Sequence, residues 1–386
     1  MIKFLRISSI YPAFLKEINN TIDRTENYNN ILKTIFESKY SVSNFLSQEL
    51  SKKNYECNEI IHNCSLIQNK WINEYGGTNK KKDILFEQIK FYDPDVLFLG
   101  DLKILKKLNI KTIKKVTNIK LVLCFHCAPF QKENLKEPIN ADAFITCTEG
   151  YKQKIKKNFK KDVLLMKHAF KPSDNDNFEI KETSRSIDVT FSGSLFLNHS
   201  LHLGRVKIIY DLMKKFKNNY IAVNFSKFFI LEFIFLILKS IIKLKFFKDL
   251  KVFYKIIYIY LFCKKPIFGK NMHNVLKKTK ILVNKHIEDT EYAGNMRLFE
   301  STGLGCLLMT DKKKDLEKLF VLDKEVVVFE NSDDLISKIN IYLSNKEKLL
   351  EIAKNGQKKT LSSHNYKNRV KQLDIFIKER ISNEDI

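Results

Sequence analysis

Glycine and proline are scarce, at 11 and 6 of 386 residues. That excludes collagen-like repeats and linker-like chains. Acidic residues are outnumbered, 44 against 68 lysines and arginines, for a net charge of +24. Arginine itself is rare, occurring only at Arg6, Arg24, Arg185, Arg205, Arg297, Arg369 and Arg380. An excess built from lysine favours an anionic partner but argues against sequence reading of DNA, where arginine forks dominate. The seven cysteines are odd in number and irregular in spacing, which argues against a disulfide framework. There is one tryptophan beside 30 phenylalanines and 15 tyrosines. No cleavable leader is visible, since Met1-Ile-Lys-Phe-Leu-Arg6 reads into a strand; this points to a cytoplasmic protein.

What is present is enough apolar surface for a core. The chain is 44% hydrophobic and 29% charged, which excludes disorder. At roughly 100–200 residues per domain, its length implies two domains. Short apolar runs recur at 2–8, 95–100, 120–125, 143–147 and 163–166, separated by lysine-rich helical stretches. Such runs are expected of parallel strands buried on both faces, with crossover helices between them. Residues 171–186 are polar and read as a linker. The βα rhythm then restarts with a strand at 187–192, a turn at Gly193-Ser194 and a helix at 203–216. Further strands are expected at 281–284, 306–310 and 325–329, and Ser332-Asp-Asp334 is expected to cap a helix. The expected domains are 1–170 and 187–362, with 363–386 as a last helix that crosses back to the first domain.

One segment breaks the rhythm. Residues 228–242 are nearly all apolar, and 244–262 alternate apolar and lysine residues at helical spacing. Nine lysines and two acids lie between Lys227 and Lys265. The apolar part falls short of the roughly 20 residues that span a bilayer. Two readings stand: a helical insertion (226–265) lying on an anionic membrane surface, or a hairpin covering the domain's own core.

Chemistry concentrates in two places. In Gly294-Asn-Met-Arg-Leu-Phe-Glu-Ser-Thr-Gly-Leu-Gly305, a helix opening near Asn295 would aim free N–H groups at an anion. Gly294 allows close backbone approach, Arg297 suits a phosphate, and Glu300 suits the vicinal hydroxyls of a ribose. The plain alternative is a short helix with a surface Arg–Glu pair. The second place is Gly193-Ser194, followed by His199, His202 and Arg205, at the carboxyl end of the restarting strand. Neither a phosphate-loop motif nor a Gly-x-Gly-x-x-Gly fingerprint occurs, and the cleft segments carry no Asp-x-Asp. In the first half, His126 follows a buried strand; it suits contact with the transferred group or a base, or else is satisfied by nearby backbone. Cys124 and Cys127 flank it, but a zinc site needs two more ligands and none is evident, so no metal is expected. His168 ends another strand and is a weaker candidate of the same kind.

The ordered series Phe191-Ser-Gly193, Lys280-Ile-Leu-Val-Asn284, Asn295-Met-Arg-Leu-Phe-Glu300, Leu307-Leu-Met-Thr-Asp311, Ile352-Ala-Lys-Asn-Gly356 and His364-Asn-Tyr-Lys-Asn-Arg369 resembles group 1 glycosyltransferases, in the branch of spore-maturation-type glycosyltransferase-like proteins. The resemblance covers roughly half the chain, from about 187 to 376. It implies a GT-B fold: α/β, two Rossmann-like domains facing a cleft. The second domain would hold a nucleotide-sugar, a substrate rather than a cofactor, and the first would receive the acceptor. It implies that Glu300 holds the ribose, that Asn295 and Arg297 face the diphosphate or sugar, and that Gly193 and Ser194 line the phosphates. Glu291 and Glu300 have eight residues between them, unlike the paired glutamates of many retaining relatives, so Glu291 takes no such role. Fixed cations, Arg297 with Arg205 or Lys285, would stabilise the leaving diphosphate without a metal. The reading is a hexosyltransferase-like enzyme acting on a cell-surface glycan or lipid-linked acceptor, peripheral at the inner membrane face. The alternatives are a non-catalytic scaffold of the same fold and a basic nucleic-acid-binding protein; no nucleic-acid motif supports the latter.

Overall fold

The computed structural model describes residues 1–41, 43–76, 83–130, 140–172, 180, 184–197 and 200–382. The chain divides into two compact units, Met1–Lys171 with Asn365–Ile386, and Pro172–His364. Most of the polar stretch 171–186 and His199 lie outside the described residues.

The first unit holds six parallel strands: β1 (Ile2–Ser8), β2 (Tyr55–Ile61), β3 (Val96–Leu99), β4 (Leu121–Phe125), β5 (Ala143–Thr146) and β6 (Asp162–Leu165). Their order is β2-β1-β3-β4-β5-β6. β3, β4 and β5 are buried along almost their whole length, as continuous apolar runs require. β2 is an edge strand, and its Glu-Cys-Asn-Glu stretch masks it in the sequence. One inward charge on it is matched: Glu59 accepts from Arg6 Nε at 2.7 Å and from Ser47 Oγ at 2.5 Å. The helix Tyr366–Ile381 completes this unit, burying Val370, Leu373 and Ile377 against Leu123 and Ile145. Asp374 on it accepts from Lys53 Nζ at 2.7 Å and Tyr55 OH at 2.9 Å.

The second unit holds five parallel strands: β7 (Ile187–Leu195), β8 (Asn219–Phe225), β9 (Thr279–Asn284), β10 (Leu307–Asp311) and β11 (Val327–Phe329), in the order β11-β10-β9-β7-β8. β8 is again an edge strand that the apolar pattern does not reveal. It also corrects the expected turn at Gly193-Ser194: β7 pairs with β8 through Ser194↔Asn224 to Leu195↔Phe225. A neighbouring strand overrides the turn preference of Gly-Ser. The helix Ser332–Ser344 is capped by Asn331, one residue earlier than expected, through bonds from Asp333 and Asp334 N–H groups.

The insertion forms two helices, Phe229–Ile242 and Phe246–Phe262. Phe229, Ile256 and Ile259 join the core of the unit. Ser240 Oγ donates to Asp249 at 2.6 Å and ties the helices together. The remaining faces are apolar and exposed. Among the described residues, seventeen of the twenty-five exposed large apolar side chains lie between Phe228 and Phe262, including Leu244 and Phe247 at 93% and 86% exposure. Core covering therefore accounts for only part of the segment. Among the described residues, no helix is long and apolar enough to cross a membrane.

Candidate functional site

The chain leaves β7 for β8 on one side and returns to β9 on the other. Strand order thus reverses between β7 and β9, and open α/β sheets take ligands at the carboxyl ends beside such a reversal. The β7–β9 ladder ends at Phe191↔Val283. Gly193 and Ser194 continue past it along β7.

Arg205, in the first turn of the helix Gly204–Lys215, bridges the two strand ends. Its Nη1 donates to the Ser194 carbonyl at 2.7 Å, and its Nε and Nη2 donate to the Lys285 carbonyl at 3.1 and 2.8 Å. Burial lowers its pKa to about 10, against the opposing charges of Asp311 and Glu288. At neutral pH it remains a cation, held in place as a strut.

Beyond β9 and β10 lies a feature that sequence reading missed. Asp311, at the end of β10, is buried and accepts from the His286 backbone N–H at 2.9 Å and ring Nδ1 at 2.7 Å. Lys285 Nζ donates to it at 3.2 Å, and Lys313 Nζ lies 3.7 Å away. Burial alone would raise the Asp311 carboxyl; its bonds and charge contacts with His286 and Lys285 outweigh that and hold it well below the usual carboxylate range. Asp311 and His286 are 25 residues apart, so no local spacing announces the pair. An open depression of about 560 Å³ lies next to Lys313, lined also by Glu288, Thr290 and Glu291. Glu291 itself is exposed and paired with Lys314 at 2.6 Å.

The network continues into the motif read from the sequence. Asn284 Nδ2 donates to Thr310 Oγ1 at 3.0 Å, and Asn284 Oδ1 accepts from Asn295 Nδ2 at 2.8 Å. Asn295 Oδ1 accepts from the Arg297 backbone N–H at 2.9 Å. The helix opens at Arg297, two residues later than expected, because Asn295 spends its side chain before the first turn. Gly294 sits just ahead of it in irregular backbone. Arg297 Nη1 donates to Glu300 Oε2 at 2.6 Å, a pair with side chains only 19% and 15% exposed. Two polar atoms of this network, His286 Nε2 and Arg297 Nε, are buried with no hydrogen-bond partner among the described residues. Most buried polar atoms are satisfied, so two orphans in one network mark a place where a ligand would supply an acceptor to Arg297 Nε–H and a donor to the bare His286 Nε2.

The remaining candidates sit in the first unit. His126 is buried, with its ring 4.1 Å from that of Phe130. Its Nε2 has no partner among the described residues. Burial lowers its pKa to about 4, while a hydrogen bond to the Ala128 backbone acts the other way. The ring is therefore neutral at physiological pH. Cys124 points into the opposite core, with Val122 and Phe144. Cys127 meets Cys147 and His168 instead.

Comparison with known proteins agrees with the fold. Residues 260–374 match a family model described as glycosyl transferase-like. No curated protein sequence matches. Among solved structures, HepE from Anabaena in complex with UDP and glucose superposes with a TM-score of 0.56 at 10% identity, over 98% of this chain and 100% of that one. A glycosyltransferase from Rickettsia africae gives 0.55 at 12%, over 99% of each chain. Sucrose-phosphate synthase from Thermosynechococcus elongatus gives 0.57 at 9%, over 99% of this chain and 100% of that one. The two parallel Rossmann-like sheets of this chain make an α/β fold of the GT-B type, the fold of these glycosyltransferase structures.

Proposed function

We propose that the protein is a glycosyltransferase whose Pro172–His364 unit binds a nucleoside-diphosphate sugar at the carboxyl ends of β7, β9 and β10. The carrying observation is the network from Asp311 to Glu300, with two buried nitrogens that have no hydrogen-bond partner among the described residues. Glu300, oriented by Arg297, takes the ribose hydroxyls. Arg297 and Asn295 face the diphosphate or sugar, and Gly193 and Ser194 line the phosphates. HepE was solved with UDP-glucose, which makes UDP-hexoses the first donors to test.

Breaking the sugar–phosphate bond builds negative charge on the leaving diphosphate. Arg205, Arg297, Lys285 and Lys313 are cations fixed around this crevice, where Lys285 faces the carboxylate of Asp311 and Arg297 that of Glu300. Preorganised cations of this kind stabilise the leaving group without reorganising, and removing one donor typically costs about 10²–10³ in rate. On this reading a divalent ion is not needed for that step. His126, neutral in its aromatic pocket, contacts the transferred sugar or accepts the proton of the attacking hydroxyl.

The acceptor is lipid-linked or part of a cell-surface glycan, met at an anionic membrane. Support comes from the hairpin. Its exposed apolar side chains Ile234, Phe235, Leu238, Ile242, Leu244 and Phe247 stand among nine lysines and two acids. Apolar area inserts at the headgroup boundary while lysines attract anionic lipid. The motif series further favours the spore-maturation-type branch. Labelled UDP-hexoses incubated with the protein and a bacterial lipid extract test the reading. Label passing into the lipid or glycan fraction supports it; intact donors throughout a panel of nucleotide-sugars and acceptors refute it.

A further inference from the structure

The first unit gathers three metal-binding side chains that the sequence keeps apart. β4 and β5 pair in register at Phe125↔Ile145. Two residues further along each strand come Cys127 and Cys147, and the alternation of a strand returns both to one face of the sheet. β6 pairs with β5 at Thr146↔Leu165, and the chain beyond it delivers His168. The two sulfurs touch, with Cα atoms 5.7 Å apart, and a His168 ring nitrogen lies within 4.8 Å of both. Cys147 is buried; Cys127 and His168 are half-buried.

Two touching cysteines have two fates, a disulfide or a shared metal ion. The third group favours the second. An imidazole adds nothing to a sulfur–sulfur bond, but it completes a donor set of two thiolates and one nitrogen. Arg369 fixes the backbone here, donating from Nε to the Lys167 carbonyl at 2.8 Å and from Nη2 to the His168 carbonyl at 3.1 Å.

We propose that Cys127, Cys147 and His168 form a site for a thiophilic divalent cation of the zinc class. Three protein ligands leave a fourth tetrahedral position for water or a ligand oxygen, the arrangement of sites that exchange ligands. It lies at the carboxyl ends of β4, β5 and β6, the edge where α/β sheets take ligands. The proposal does not rest on the transferase reading.

Cobalt(II) is the probe. The full chain, reduced with a phosphine and freed of metal by a chelator, should bind one equivalent of Co²⁺, with thiolate-to-cobalt charge-transfer absorption and tetrahedral d–d bands that Zn²⁺ abolishes. Cys147→Ser and Cys127→Ser should lose the signal, whereas Cys263→Ser, in the other unit, should keep it. His168→Gln should shift the d–d bands and weaken binding by more than the about 10- to 100-fold that loss of an outer partner costs. Should the cysteine variants misfold, alkylation of the wild-type chain decides. Protection of Cys127 and Cys147 by Zn²⁺ supports the site. Reduced protein that binds no cobalt and gains no protection, or a Cys127–Cys147 disulfide that persists through reduction, overturns it.

Discussion

Asp311 accepts two hydrogen bonds from one residue: the backbone N–H of His286 at 2.9 Å and its ring Nδ1 at 2.7 Å. This double contact locks the ends of β9 and β10 together and fixes which ring nitrogen of His286 remains. With Nδ1–H spent on the carboxylate, Nε2 is left over, buried and unpartnered among the described residues.

Replacing Asp311 with Asn keeps the shape but removes the charge that Lys285 and His286 face. Taking one partner from a buried charged network costs about 3 kcal/mol. The folded carboxyl is held below its unfolded value, so its stabilisation is fully present above about pH 3.9 and is lost as pH falls through the folded value. Urea unfolding at neutral pH should show the variant destabilised by that amount. The difference should shrink once pH drops below about 4. Equal stability at neutral pH would contradict the lock.

His126 predicts a different window. Its folded pKa, about 4, lies below the unfolded value of about 6.5. The unfolded chain therefore binds more protons between the two, and stability falls as pH drops from about 6.5 to about 4, by on the order of 3 kcal/mol. His126→Phe keeps an aromatic ring against Phe130 and removes the titrating group. Its unfolding free energy should change less across this window than that of the wild type, while sugar transfer should be lost.

These two sites show what the sequence could and could not reveal. β3, β4 and β5 are legible because strands buried on both faces must be continuously apolar. β2 and β8 are edge strands with polar residues, so the same rule passes over them. Asn295, Arg297 and Glu300 are legible because they sit within two turns of one segment. Asp311, His286 and the Cys127–Cys147–His168 cluster are not, because they meet only through sheet register. Gly193-Ser194 has turn chemistry, yet pairing with β8 holds it extended.

Gly305 supports the site from behind. Its φ is +78°, and a Cβ there would lie 2.6 Å from Arg185 Nη2 and 2.7 Å from Ile180 Cγ1. Left-handed backbone costs an alanine about 1–2 kcal/mol, and overpacking adds about 1–3. Gly305→Ala should therefore lower Tm by several degrees in calorimetry. An unchanged Tm would show that this turn has more room than its contacts indicate.

The hairpin predicts lipid-dependent binding. The protein should sediment with phosphatidylglycerol vesicles, weakly with phosphatidylcholine vesicles, and less in high salt, as exposed charges are screened. Phe235→Asp with Leu238→Asp alters two exposed positions and should cut binding at least about tenfold, since each charge opposes insertion. Unchanged vesicle binding by the double variant would contradict the membrane role. Concentration-dependent dimerisation abolished by the same changes would assign the face to a second copy of the chain.

The most direct test of the donor site is thermal stabilisation by UDP, UDP-glucose and other nucleoside diphosphates, read on the wild type, Arg297→Ala and Glu300→Ala. A ligand at about 100 times its Kd adds about 2.7 kcal/mol, which raises the Tm of a unit this size by a few degrees. The account predicts that at least one nucleotide stabilises the wild type and that both variants, folded on their own, lose the response. If no nucleotide shifts the wild type, or if both variants respond as it does, the donor does not bind where the Asp311-to-Glu300 network places it.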